Sequence, residues 1–257
     1  MTYLKLDNQT VRIEEGELVG YEVDGHEYIH QKGSPGWGSA DTEMFPIIGP
    51  VKDAGYAVQV PRGNAILDQH GHLRLLDYDL ISHDDTHATF KKVYKGGTPV
   101  QNGKFPENSN KALLMWPYSF EFEKRFVLKP NQLEVTLVLN AERDMPYMIG
   151  YHPAFKLYTE NPVLETDSRE IPLKDVLAVG HRALQVADCE AITLKDKKEV
   201  KIETEGFGHF MCWTMVPNMV CIEPISFYPY AVEQRELHTG FDYTKDSEVV
   251  FKTIISV

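Results

Sequence analysis

Cysteine is scarce in this chain. Its three residues, Cys189, Cys212 and Cys221, are an odd number and show no Cys-x-x-Cys spacing. That argues against a disulfide frame or a structural zinc site and fits reduced, mostly buried thiols of a cytosolic protein. Basic residues are also in deficit: 26 Lys and Arg face 38 Asp and Glu, giving a net charge of −12 at pH 7. Such a field repels a phosphate backbone, and no basic run overrides it locally, so no nucleic-acid partner is expected. Long apolar runs are missing too. Mean hydropathy is −0.33, and no stretch approaches the roughly 20 apolar residues that span a bilayer, so no membrane association is expected. The first ten residues, MTYLKLDNQT, carry charge where an export signal needs its apolar segment, which points to a cytoplasmic location. The Asn8-Gln9-Thr10 sequon is then accidental.

Helical periodicity is nearly absent, and period two takes its place. Phe120, Phe122, Phe126 and Leu128 share one parity, broken only by Lys124, against Glu121, Glu123 and Arg125 on the other. Leu133, Val135, Leu137 and Leu139 repeat the pattern, and Lys129-Pro130-Asn131-Gln132 supplies a turn between the two runs. This reads as a β-hairpin. Val200–Thr204 follows a charged tight turn at Lys195–Glu199, and Val249–Val257 forms a further strand. Ser109–Trp116 is the one short helix expected, ended by Pro117. The 257 residues then read as one all-β domain, 1–257: a large antiparallel β-sandwich with few short helices.

Polar chemistry interrupts the apolar strands in three places. In MPYMIGYHPAFKL, His152 sits among apolar and aromatic neighbours, held extended by Pro153. It reads either as a group that moves protons near neutrality or as a core histidine bonded to a backbone carbonyl. In MVCIEPI, four apolar residues run into Glu223. A carboxylate closing an apolar strand suits a general base, but it equally suits a strand end that escapes to water. In DQHGHLR, His70, His72 and Arg74 share one face if the segment is a strand, and Gly71 permits close backbone approach. That set reads as contacts to a hydroxylated ligand, as a metal pair completed by Asp77, or as surface histidines. Trp37 lies in the loop-like run Gly33-Ser34-Pro35-Gly36-Trp37-Gly38, where its ring is available to a sugar face.

Taken in order, these segments resemble the aldose 1-epimerase (mutarotase) superfamily, in particular its short bacterial branch. GWGSADTEMFPIIG (36–49), QHGHLR (69–74), WPYSFEFE (116–123), MPYMIGYHPAF (145–155) and VCIEP (220–224) stand where that branch shows a tryptophan loop, LFPIVG, HGFAR, YPFxF, MPFSIGxHPAF and CxEP. The resemblance implies the galactose mutarotase-like sandwich fold, with a sugar site on one concave face. It implies an isomerase that interconverts the α and β anomers of an aldose without metal or organic cofactor. By position, His152 is the acid, Glu223 the base, and His70 the histidine of the HG motif, the third catalytic residue. Arg74, His72, Trp37 and Lys52 are the expected substrate contacts. Two departures bear on specificity: Pro50 stands where the branch has arginine, with Lys52 two residues on, and His72-Leu73 replaces Phe-Ala. The loss of that arginine and the acidic chain favour a neutral aldose over a sugar phosphate. The imidazole of His152 and the carboxylate of Glu223 are expected to face each other across a gap the width of a pyranose. The same residues also allow a non-catalytic sugar-binding module, or a metal-dependent β-barrel enzyme using His70 and His72. Oligomeric state does not follow from the residues.

Overall fold

A computed structural model describes residues 1–245 and 248–257. Its largest sheet has nine strands in the order Glu170–Pro172, Val163–Glu165, Ala191–Lys195, Glu199–Glu205, Val249–Ser256, Gln132–Ala141, Phe120–Lys129, His87–Tyr94 and Asp79–His83. The second sheet runs Leu184–Val186, His209–Trp213, Met219–Ile225, Gly150–His152 and Thr42–Met44, and Ala154–Lys156 also pairs with Met219–Ile225. A four-strand sheet is built from Thr2–Leu6, Gln9–Glu14, Glu17–Val23 and His26–Glu27. The named strands pair antiparallel throughout, as the alternating patterns require.

The expected hairpin is present. Phe120–Lys129 pairs with Gln132–Ala141 from Phe120↔Ala141 to Lys129↔Gln132, leaving Pro130 and Asn131 as the turn. Asn131 takes φ 54, a left-handed corner that asparagine tolerates after proline. Every second residue of Phe120–Lys129 is buried, Lys124 included. Phe45, just past Thr42–Met44, packs edge-on to Phe120 at 5.0 Å and against Phe122 at 5.5 Å, which joins the two large sheets. At roughly 25 cal/mol per Å² of apolar surface, rings of this size supply the main drive for sheet closure.

Ser109–Trp116 is not a helix. Leu113–Leu114 pairs with Val100–Gln101, and Met115 bridges to Ile66. Leu113 is exposed while Leu114 and Trp116 are buried, so burial by twos outweighs the helical tendency of the segment. The α-helix that does form is Leu173–Val179, entered from Pro172 and ended by Gly180 at φ 69. No helix of the described residues is long and apolar enough to cross a membrane.

Lys124 does not break the buried face by accident. Its ammonium lies 2.9 Å from Asp41, 2.7 Å from Glu43 and 3.0 Å from the Asp41 carbonyl. Tyr151 donates its hydroxyl to Asp41, and Lys92, itself 4.0 Å from Glu43, donates to the Leu73 carbonyl at 3.1 Å. Tyr151 adjoins His152 and Leu73 adjoins Arg74. The buried ionic network therefore grips both segments that carry the site.

Candidate active site

The ladder itself brings His152 and Glu223 together. Gly150 pairs with Ile225 and Ala154 with Cys221, which sets His152 directly opposite Glu223. Pro153 has no N–H and splits the ladder at that rung, so the chain continues past His152 as a second short strand. Cross-strand neighbours point to the same face, and His152 Nε2 lies 3.4 Å from Glu223 Oε1. The expected gap between the two groups is absent: they stand side by side. On its other flank Glu223 is paired with Met211, and Cys221 with Trp213.

Above this pair opens a cavity of about 580 Å³, lined among others by Trp37, His70, Arg74, His152, Trp213 and Glu223. Trp37 lies 5.3 Å from His152, ring centre to ring centre, and His70 lies 5.6 Å from it. His70 is held by a turn, not a strand: Gly71 N–H donates to Asp68 O, and His70 and Gly71 take φ 69 and 70. A Cβ on Gly71 would lie 2.0 Å from the Phe45 carbonyl oxygen, so only glycine fits there. His70 Nδ1 lies 2.6 Å from the Ile48 carbonyl. A carbonyl only accepts, so Nδ1 carries the hydrogen and Nε2 is an acceptor, reached by the Gln69 amide at 3.4 Å and open to a ligand hydroxyl in its place. Burial, then His152 and Arg74, hold His70 well below its usual range, so the ring stays neutral.

Burial also separates the central pair. It pushes Glu223 well above the carboxylate range and, with Arg74 beside it, holds His152 down at about 3. Burial thus favours a neutral pair, with its one proton on the carboxyl. Both Glu223 oxygens and His152 Nδ1 are buried without hydrogen-bond partners, the condition of groups built to meet a ligand. Arg74 lines the cavity half-buried, and no acid of the described residues lies within ion-pair distance of it.

Two of the expected contacts lie elsewhere. His72 is fully buried in the sandwich, edge-on to Tyr94 at 4.5 Å and Phe120 at 5.9 Å, outside the cavity. The turn at His70–Gly71 sends the two imidazoles apart, which also dismantles the His70–His72–Asp77 metal set. Lys52 sits exposed on a short 3-10 turn and lines a separate depression with Asp53 and Asn108. Conversely, Gln69, Lys104, His181, Arg182, Trp213 and Tyr230 line the cavity. None of these is among the contacts expected from the sequence, although Gln69 opens QHGHLR and Trp213 is one of the chain's three tryptophans. Arg182 follows Gly180 in a loop whose course no local pattern reveals, yet it shares the cavity wall with Pro50. A guanidinium from another segment therefore occupies the neighbourhood that Pro50 leaves without one.

The aldose 1-epimerase family profile matches residues 44–212, more than half of the chain. The chain belongs to the aldose 1-epimerase family. The matched span contains His70, Arg74 and His152 and ends before Glu223. Protein LacX of Lactococcus lactis subsp. lactis, chromosomal form, is 26% identical over 166 residues, covering 60% of this chain and 48% of LacX. The chain thus spans about half the length of the curated relatives it matches. A galactose mutarotase-like protein from Lactobacillus casei shares the fold with a TM-score of 0.80 at 18% identity, over 100% of this chain and 99% of that one. A galactose mutarotase related enzyme from Lactobacillus acidophilus gives 0.77 at 18% identity, over 99% and 96%. The all-β galactose mutarotase-like sandwich expected from the sequence is the fold observed.

Proposed function

We propose that this family member is a cytoplasmic, single-domain aldose 1-epimerase that exchanges the α and β anomers of a sugar by acid–base ring opening. The observation that carries the reading is the His152–Glu223 contact on the floor of a cavity of about 580 Å³, within the range of small-molecule sites. With one proton shared between them, the two groups suffice. The pair's proton first passes from Glu223 to Nε2 of His152; the Glu223 carboxylate then takes the anomeric hydroxyl proton, the C1–O5 bond breaks as the aldehyde forms, and His152 gives the proton it received to O5. Rotation about C1–C2 and the reverse transfers close the ring on its other face. During the open-chain stage Glu223 is neutral and His152 is neutral, which is the charge state that burial favours here. His70 Nε2 accepts from a sugar hydroxyl, Arg74 donates to one, and Trp37 and Trp213 flank the imidazole at 5.3 and 6.4 Å.

Each acid–base group contributes about 100- to 10,000-fold. Glu223→Gln and His152→Asn are therefore each expected to lower anomer exchange at least about 100-fold in a folded protein, read by polarimetry or saturation-transfer NMR across a panel of aldoses. Undiminished exchange in both variants would remove the assignment. Sugar binding without any exchange in the unaltered protein would favour the non-catalytic binding module instead.

A specific observation alters the expected sugar. Arg74, Lys104, His181 and Arg182 line the cavity, and Glu223 is its only acidic lining residue among those described. Lys104 is paired with Asp68 at 2.8 Å, but the two guanidiniums leave the neutral His152–Glu223 pair inside a positive rim. An aldose bearing an acidic group fits this lining better than the neutral aldose suggested by Pro50.

A further inference from the structure

One reactive side chain beside the pair has no part in anomer exchange. Cys221 precedes Glu223 by two residues on Met219–Ile225, so both side chains leave the strand on one face. His152 faces them from the neighbouring strand, on the rung next to Cys221. One donor atom from each of His152, Cys221 and Glu223 lies within 4.8 Å of the others. Cys221 is fully buried against Trp37, Ala154 and Met219, and both Glu223 oxygens lack partners. Buried polar groups left unpaired cost about 1–3 kcal/mol each, and His152 Nδ1 and both Glu223 oxygens are such groups beside the Cys221 sulfur, a set that one ligand can satisfy.

The geometry points to a binding site for a divalent cation of the zinc class, held by His152, Cys221 and Glu223 in competition with the sugar. Zinc takes imidazole nitrogen and carboxylate oxygen at about 2.0–2.2 Å and thiolate sulfur at about 2.3 Å. In a tetrahedron those lengths put the donors about 3.3–3.6 Å apart, so side-chain rotations of about an ångström close the set from its present spacing. The thiolate selects zinc over magnesium or calcium, which prefer oxygen alone. Thiolate and carboxylate together cancel the charge of the dication, so the complex adds no net charge beside Arg74. The fourth position faces the cavity that His152 and Glu223 line, where water can fill it.

Binding is coupled to protons. Burial, then Glu223 and Cys212, keep the Cys221 thiol protonated, and burial does the same for the Glu223 carboxyl. Entry of the cation therefore forms metal–sulfur, metal–oxygen and metal–nitrogen bonds and releases one proton from each acid to solvent. That the bound cation also stops anomer exchange rests on the proposed function, since it takes the lone pair of His152 and the charge of Glu223. The binding itself does not.

Titration of the full chain with cobalt(II) chloride tests this. A tetrahedral site with one thiolate gives an intense visible spectrum and a sulfur-to-cobalt charge-transfer band. We expect that band at one cobalt per chain, its displacement by zinc, and its weakening by saturating sugar. It should vanish in Cys221→Ser and Cys221→Ala and persist in Cys189→Ser. No thiolate band in the unaltered protein, or a band that survives Cys221→Ser, overturns the site. If both Cys221 variants fail to fold, persistence in Cys189→Ser and Cys212→Ser assigns the thiolate to Cys221, and loss in either refutes it. If no aldose is turned over, the anomer-exchange reading falls while the cobalt spectrum still decides this one.

Discussion

His72 stands where the family resemblance leads one to expect phenylalanine, and its surroundings are still those of a phenylalanine. The ring packs edge-on to Tyr94 and Phe120, and neither nitrogen has a hydrogen-bond partner. Burial holds its pKa down at about 3, against an ordinary 6.5. The native state therefore excludes a proton that the unfolded chain binds below pH 6.5. Stability is intact above that value and falls as the pH drops from about 6.5 toward 3, by about 1.4 kcal/mol per pH unit for this one group. His72→Phe should leave stability near pH 7.5 within about 1.5 kcal/mol and flatten the acid slope by one proton. Urea denaturation at several pH values measures both. A slope unchanged by the substitution would mean that the ring is not held neutral.

The reactive pair has its own acid–base signature. Because His152 and Glu223 hold one proton between them, activity is lost when a second proton arrives or the last one leaves. With His152 held down at about 3, the rate should stay level from about pH 4 to neutrality and fall on the alkaline side. An acid limb centred near 6.5 in kcat would contradict this. The motif HPAF pointed to His152 in the sequence, and the apolar approach to Glu-Pro pointed to Glu223. Neither showed that the groups touch, because contact depends on a register shared by strands about 70 residues apart. His70 and His72 were misread as facing alike, because the left-handed turn at His70–Gly71 leaves no trace in an alternation count.

Among elements, Phe120–Lys129 shows how a sequence rule fails informatively. The alternation was legible, the hairpin followed, and Lys124 was the residue out of pattern. It is out of pattern because it holds Asp41 and Glu43 of a facing segment inside the core. Burial pushes Asp41 up to about 7, with Lys124 opposing the rise. Burial would raise Glu43 as well, but Lys124 and Lys92 outweigh it and leave that acid below its usual range. Replacing one partner of a buried ion pair strands the other, at a cost of about 3–5 kcal/mol. Lys124→Met should destabilise the protein by that amount in chemical denaturation, and adding Asp41→Asn should restore part of it. Because Asp41 also accepts from Tyr151, beside His152, the single variant should lose anomer exchange beyond what its unfolded fraction accounts for.

On the scale of the whole molecule, charge is unevenly placed. The chain carries −12, yet the cavity wall is basic, with Arg182 near Pro50. Net charge alone therefore argued for a neutral sugar, because composition does not report which side chains turn inward. Screening acts over about 8 Å at physiological salt, so the local rim outweighs the distant acids for a bound ligand. Aldoses with a phosphate or carboxylate group should be preferred over their neutral parents, with a preference that shrinks as salt rises. Arg182→Met should lower the ratio of kcat/KM for the charged sugar to that for the neutral one by about 10-fold, the scale of one exposed charge-assisted contact. Equal rates for charged and neutral aldoses would return the site to neutral sugars.

His152 and Glu223 stand opposite each other at one rung, bracketed by Gly150↔Ile225 and Ala154↔Cys221, so the backbone count alone decides whether they meet. Slippage of either strand by a single residue would turn one of them, with the rest of its strand, to the opposite face. No hinge or lid has to swing for the proton donor and acceptor to come into register. On the proposed function, an arriving sugar would meet a pair already assembled when the chain zipped its sheet.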